Sequence, residues 1–318
     1  MTLAAVLLGL AVLTGAAGPR LLRSRRLAGA PAGLSVLLWV ALPVALAVAV
    51  LVAGAALVLP SFPAGVTVLE LVRLCAGVVG GHPSQQVTLA AGAISAAASV
   101  GVVGRLAWCA AHVWWPAHRH ARRHRQALEL TARRVPSLGA YVVEADSPLA
   151  YCLPGSGGRV VLTSSALDAL GDDELHAVLA HERAHLTQRH DKILAGVVLL
   201  ARAFPFVPLF RAAQRELPRL VEMAADDVAA SAHGRFAVAS ALVTLAGDDT
   251  ARPASLAAAT VAVRDRFDRL LSAEQTPTLP AAAYWLAGTL TVAAPVLISA
   301  ALVAVGAYFH ACPFVLYH

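Results

Sequence analysis

The sequence predicts a mainly α-helical membrane protein, with four transmembrane helices and one polar α+β block between the third and the fourth. Three observations carry this. Of the 318 residues, 58% are apolar and only 14% charged, and the mean hydropathy is +0.68. Soluble chains run at about 45–50% apolar and about 25% charged. Four stretches are apolar over roughly the 20 residues that a helix needs to cross a bilayer. The acidic residues are confined, Glu70 being the only one outside Glu129–Glu274.

This composition excludes disorder, a fibre and an ordinary cytosolic enzyme. The net charge is +6, almost all of the basic side is arginine, and Lys192 is the only lysine. Basic residues beside apolar spans set membrane orientation more often than they bind nucleic acid. The lipid bilayer is therefore the expected partner, with no direct nucleic-acid contact.

The spans are Thr2–Gly18, Leu34–Leu59, Val87 to about Trp108, and Ala281 to about Phe309. Nothing basic precedes the first, and Arg20, Arg23, Arg25 and Arg26 follow it, the reverse of a signal peptide. That places the N-terminus outside and the 19–33 loop in the cytoplasm. The 60–86 segment, with Glu70 and Arg73, falls outside. Arg105, Arg119, Arg122, Arg123, Arg125, Arg133 and Arg134 then put the polar block in the cytoplasm, with Trp108, Trp114 and Trp115 in the inner headgroup belt. The expected layout is a three-span region over 1–115, a cytoplasmic domain over 116–275, and a last span with a short outer tail over 276–318. The expected location is the cell membrane, multi-pass, with both termini outside. Of the four cysteines, Cys109 and Cys152 fall at the membrane boundary and in the cytoplasm. Cys75 and Cys312 both fall outside, where they either pair or act as small apolar fillers.

The chemistry centres on His181-Glu182-Arg183-Ala184-His185, an H-E-x-x-H motif. Asp172, Asp173 and Glu174 open the segment as acids do in a first helical turn, and Leu175, Val178, Leu179 and Leu186 recur at helical spacing. On a helix, His181 and His185 share one face and can both reach one zinc ion at about 2.0–2.1 Å. Zinc lowers the pKa of water to about 7, and Glu182, one position on, can take that proton.

A third protein ligand is needed. Gln188 and Asp191 stand where a metzincin would carry glycine and histidine, and His190 reads as a basic helix end. Downstream, Val221–Ala230 is a helix of small residues in which Glu222 and Asp226 lie four apart on one face. Glu222 can complete the site. Asp226 can accept from the outer N–H of a ligating histidine, most readily His181. Asp227 points about 100° away.

The run Leu175–His185 with Arg189-His190-Asp191, together with Val160-Val161-Leu162-Thr163 and Glu222–Asp226, resembles the membrane metallopeptidases of the Bla/Mec β-lactam sensor-transducer type. The same layout, with Glu-x-x-Ala-Asp as the third-ligand helix, occurs in the related heat-shock and prenyl-protein membrane peptidases. The resemblance implies a gluzincin-like zinc peptidase domain between the third and fourth spans and one zinc ion per chain. It implies His181, His185 and Glu222 as ligands, Glu182 as base and Asp226 as support. It further implies a protein or peptide substrate near the membrane, in sensor members a transcriptional repressor. A lone cytoplasmic lysine leaves no S-x-x-K or K-T-G route to β-lactam acylation. Membrane-protein quality control is the rival substrate reading. A non-catalytic signalling or scaffold protein with an inert zinc site is the rival of another class.

Ile193 to Phe210 is apolar except for Arg202, yet it cannot cross once, because Glu222 must meet the histidines on their own side. Two crossings need about 40 residues, more than lie between His185 and Glu222. Pro205 and Pro208 break it. The expectation is a helix and bend that dip into the inner leaflet or pack on the other spans; a buried core helix is the alternative. Short strands are expected at Tyr141–Glu144, Leu149–Leu153 and Arg159–Thr163. Arg159–Thr163 is either the edge that pairs with substrate backbone or part of a plain hairpin. His233 and Arg269 are candidate oxyanion donors. Arg264, Arg266 and Arg269 together could stabilise an oxyanion, but read more readily as membrane-facing positive charge. His118, His120 and His124 read as a solvated face.

Overall fold

Three helices carry the apolar excess of the first half of the chain: α1 (Thr2–Leu22), α2 (Ala32–Val58) and α3 (Pro83–Thr131). The computed structural model describes residues 2–24, 30–58, 83–155, 157–246 and 257–272, and residues 286, 289 and 293. Among these, two helices are long and apolar enough to cross a membrane, Ala32–Gly54 and Ala96–Thr131. The apolar part of α1, Val6–Leu22, is shorter. The expected last span, apart from residues 286, 289 and 293, the 60–82 part of the outer segment and the Cys75–Cys312 pairing lie outside the described residues.

Helix α3 departs from expectation in length. At 49 residues it does not stop at Trp108 but continues through Trp114, Trp115 and Pro116 to Thr131, about 73 Å at 1.5 Å per residue. The boundary expected at 115/116 therefore lies inside one continuous helix. Ile94, Val100 and Val103 on its apolar half are exposed, as are Trp108 and Trp115. Its far end is pinned to the polar block. Arg159 Nη2 donates to Glu129 Oε1 at 2.6 Å, and His124 Nε2 lies 3.0 Å from the Tyr151 hydroxyl.

The polar block opens with a four-stranded sheet: β1 (Arg133–Val135), β2 (Ala140–Val143), β3 (Ala150–Leu153) and β4 (Arg159–Thr163). The order is β1-β2-β4-β3, with β2 and β4 parallel and the outer pairs antiparallel. This corrects the expected edge. Arg159–Thr163 is an interior strand, buried from Val160 onward, and forms the expected hairpin with Ala150–Leu153, which is one of the two sheet edges, β1 being the other. Thr163 ends β4 and caps α4 (Ser164–Ala169), its Oγ1 accepting from the Ala166 N–H at 3.2 Å.

Helix α5 (Asp172–Thr187) begins as its sequence dictates. Three acids fill the first turn, and Glu174 reaches back to the Gly171 N–H at 3.0 Å. Leu175, Val178 and Leu179 pack with Ala140, Val160 and Leu162 of the sheet. The chain then turns through Arg189, a non-glycine residue in the left-handed region (φ 53°, ψ 44°), into α6 (His190–Ala203). A bend at 204–207 follows, and Pro208 opens α7 (Pro208–His233) at the position where proline fits a helix. Gly234 (φ 86°) then joins α7 to α8 (Arg235–Ala246), and α9 (Ala257–Ser272) follows.

The 193–210 segment is thus a helix and a bend. It packs on the first helices. Val197 and Ala201 of α6 share one core with Leu209, Phe210, Ala213 and Leu217 of α7 and with Ala11, Val36, Trp39 and Leu46 of α1 and α2. Leu199 and Ala203 meet Cys109 of α3. The C-terminal half of α7 lies against α5 and α8, through Ala177, Ala229 and Val238, with Leu270 of α9 in the same cluster.

Candidate metal centre

Helices α5 and α7 cross so that two pairs of side chains, each one helical turn apart, face one another. From α5 come His181 and His185; from α7 come Glu222 and Asp226. The small residues Ala177 of α5 and Ala229 of α7 share one buried cluster, which lets the backbones approach.

The nitrogens His181 Nε2 and His185 Nε2 lie 3.1 Å apart. Each is 3.6 Å from an oxygen of Glu222. Donors arranged tetrahedrally about an ion at about 2.0–2.1 Å stand about 3.3 Å from one another, so two imidazole nitrogens 3.1 Å apart with the Glu222 carboxylate facing both are of the right kind and close to the right spacing for zinc. Two imidazoles and one carboxylate form an open set that leaves a fourth position for water or substrate. No other group of three or more histidine, cysteine, aspartate or glutamate donors comes together among the described residues.

Asp226 stands directly behind His181. Its Oδ1 lies 3.0 Å from His181 Nδ1, and the residue is 0% exposed. Burial alone would raise this carboxyl; hydrogen bonds from Arg266 and His181 reverse that and hold it at about 2. Arg266 binds Asp226 in a two-pronged grip, Nε to Oδ2 at 2.7 Å and Nη2 to Oδ1 at 2.6 Å. Its remaining nitrogen, Nη1, reaches Glu222 Oε2 at 3.1 Å. One guanidinium therefore anchors both α7 carboxylates. Arg266 is a site residue, neither membrane-facing charge nor free oxyanion donor, and spacing alone gave no sign of it. A signal was available in charge pairing: a buried aspartate needs a cation, and α9 supplies arginines at three positions.

His185 is backed differently. Its Nδ1 lies 2.9 Å from Nδ1 of His190, whose Nε2 lies 3.2 Å from Gln188 Oε1. His190 is 1% exposed, so it is not the basic helix end that the sequence suggested. Burial, reinforced by the neighbouring His185, pushes its pKa down to about 4 and keeps it neutral.

Glu182 faces a cavity of about 550 Å³ that all three donors line. Burial raises its carboxyl above the ordinary range, against the pull of His181. The thiol of Cys152 donates to this carboxylate, and burial together with the Glu182 charge pushes that thiol up to about 12. Cys152 belongs to β3, so the free sheet edge forms one rim of the cavity. Opposite it, Val238, Ala241, Leu242 and Leu245 of α8 present an apolar wall at helical spacing.

The other candidates are not brought here. His233 is exposed at the end of α7, its ring 5.9 Å from that of His176, and does not line the cavity. Arg269 is held by Asp227, with Nη2 2.8 Å from both carboxylate oxygens, and is not a free oxyanion donor. Arg264 is exposed.

The pattern of peptidase family M48 matches residues 117–310, more than half of the chain. A curated relative, "Protease HtpX homolog" of Thermoplasma acidophilum, is 36% identical over 69 residues, 21% of this chain and 21% of that protein. The chain thus spans about a fifth of the length of the relative it matches. No solved structure matches. The matched region contains the two helices that bring His181, His185 and Glu222 together, and the chain belongs to peptidase family M48, a family of zinc metalloproteases.

Proposed function

We propose that the protein is a zinc-dependent membrane metalloendopeptidase that cleaves protein or peptide substrates at the cytoplasmic face of the membrane. The observation that carries this is the meeting of His181, His185 and Glu222 at donor separations of 3.1–3.6 Å beside a half-buried glutamate, Glu182. His181, His185 and Glu222 would hold zinc, which when bound polarises a scissile carbonyl and makes water acidic enough to lose a proton near pH 7.

The chain's own residues supply the rest. Glu182 takes the proton from water and returns it to the leaving amine, a task that suits a carboxyl raised by burial. Asp226 and Arg266 hold His181 and Glu222 in register. Strand β3 offers unpaired backbone to an extended substrate, a mode of peptide capture that needs a free edge. The apolar wall of α8 accepts a side chain beside the scissile bond. Arg119, Arg122, Arg123 and Arg125 at the end of α3 favour a cytoplasmic site by the positive-inside rule. Two substrate readings compete at this site, a transcriptional repressor and membrane proteins undergoing turnover.

The test is cleavage of casein or a quenched peptide by purified protein and by a Glu182→Gln variant that still holds zinc. A loss of at least about 10²-fold is expected. Equal rates would refute the mechanism. Comparing the proteins that accumulate in cells carrying Glu182→Gln separates a repressor substrate from membrane-protein turnover.

A further inference from the structure

We infer that His190 is a positioning residue that fixes the metal-binding tautomer of His185. The inference rests on the zinc-site reading above and concerns how one of its ligands is prepared. His190 is the first residue of α6, turned back against α5 by the left-handed Arg189 and 1% exposed. Its Nδ1 lies 2.9 Å from Nδ1 of His185, and its Nε2 lies 3.2 Å from Gln188 Oε1.

With the Gln188 amide oxygen facing His190, these contacts allow one consistent direction for the protons. A carbonyl oxygen only accepts, so Nε2 of His190 donates to Gln188. A neutral imidazole carries one N–H, so Nδ1 of His190 is left as an acceptor. The hydrogen between the two rings therefore belongs to Nδ1 of His185. That leaves the His185 Nε2 lone pair bare, at 3.1 Å from His181 Nε2 and 3.6 Å from Glu222 Oε1, where the three donors converge. If the Gln188 amide were turned over, every proton in the row would shift and Nε2 of His185 would carry hydrogen, unable to ligate. Only the direction that ends on the Gln188 oxygen serves a metal. The two histidine ligands are thus oriented by unlike groups: His181 by a carboxylate gripped by arginine, and His185 by a neutral imidazole.

The test uses the full chain in detergent, with zinc affinity read by competition against a chromogenic chelator. His190→Asn places an oxygen acceptor near the position of Nδ1; His190→Leu keeps bulk without an acceptor. The leucine variant is expected to bind zinc about 10- to 100-fold more weakly, and the asparagine variant to keep the parent affinity. A leucine variant that binds like the parent overturns the inference, as do leucine and asparagine variants that lose affinity alike. Should both variants fail to fold, nitrogen-15 histidine spectra of the zinc-loaded parent decide: His190 as the neutral Nε2–H tautomer supports it, and the Nδ1–H tautomer overturns it. A parent that holds zinc but shows the wrong tautomer overturns this inference alone. A parent that holds no zinc overturns the metal-centre reading and this inference with it.

Discussion

Asp226 lies 3.0 Å from Nδ1 of His181 and is fully shielded from water. A shielded carboxylate needs a cation, and Arg266 supplies it with two hydrogen bonds of 2.6–2.7 Å. Orientation of a zinc ligand and satisfaction of a buried charge are therefore the same interaction, which couples site geometry to fold stability.

Asp226→Asn keeps the shape of that side chain and removes its charge. Breaking one side of a buried ion pair costs about 3–5 kcal/mol. The lower end is expected here because Arg266 retains Glu222 at 3.1 Å. Zinc affinity should fall about 10- to 100-fold. Thermal unfolding and chelator competition measure the two effects; parent-like values in both would contradict the coupling.

Removing the metal should stop cleavage, and adding zinc should restore it. Zinc at 100 times its Kd should stabilise the fold by about 2.7 kcal/mol. A melting temperature unmoved by zinc would mean that the three donors do not bind it in the folded protein.

The free edge can be tested at Ala150. Thr163 N–H donates to the Leu149 carbonyl at 3.0 Å, so Leu149 faces β4 in a hydrogen-bonded pair. The alternation of an antiparallel ladder then turns the Ala150 and Cys152 backbone outward. Ala150→Pro removes one outward N–H without breaking a ladder bond. Loss of that hydrogen bond, worth about 0.5–1.5 kcal/mol, should lower kcat/KM several-fold at parent-like stability. Unaltered kcat/KM would place the substrate elsewhere.

Arg189 sits in the left-handed region, which costs a residue bearing a Cβ roughly 1–2 kcal/mol. Arg189→Gly relieves that strain at an entropic cost of about 0.5–1 kcal/mol. The expected result is a small net gain in unfolding free energy, by up to about 1 kcal/mol. Arg189→Val should be destabilising, because a β-branched residue tolerates this conformation least. Denaturant unfolding of both variants decides; an order reversed between them would refute the account.

The parts of this protein legible in the sequence were those governed by spacing within one helix. His181 and His185 at four residues, and Glu222 and Asp226 at four residues, meet as helical periodicity requires. Tertiary relations were not legible. Arg266 looked like its neighbours Arg264 and Arg269, because their difference lies in which carboxylate each one faces. The interior place of Arg159–Thr163 depends on its parallel pairing with β2, a contact that no local pattern encodes. His190 read as a surface residue because its burial follows from the unusual turn at Arg189.

Helix α7 begins among the apolar residues of α1 and α2 and ends by delivering Glu222 and Asp226. Its first turns hold Leu209, Phe210, Ala213 and Leu217, all 0–1% exposed. A fragment starting at residue 116 would strip the cover from these side chains and set them in water. The peptidase machinery is thus not cargo tethered to an anchor. Helices α1 and α2 form one wall of its interior, and preparing the catalytic part alone means rebuilding that wall first.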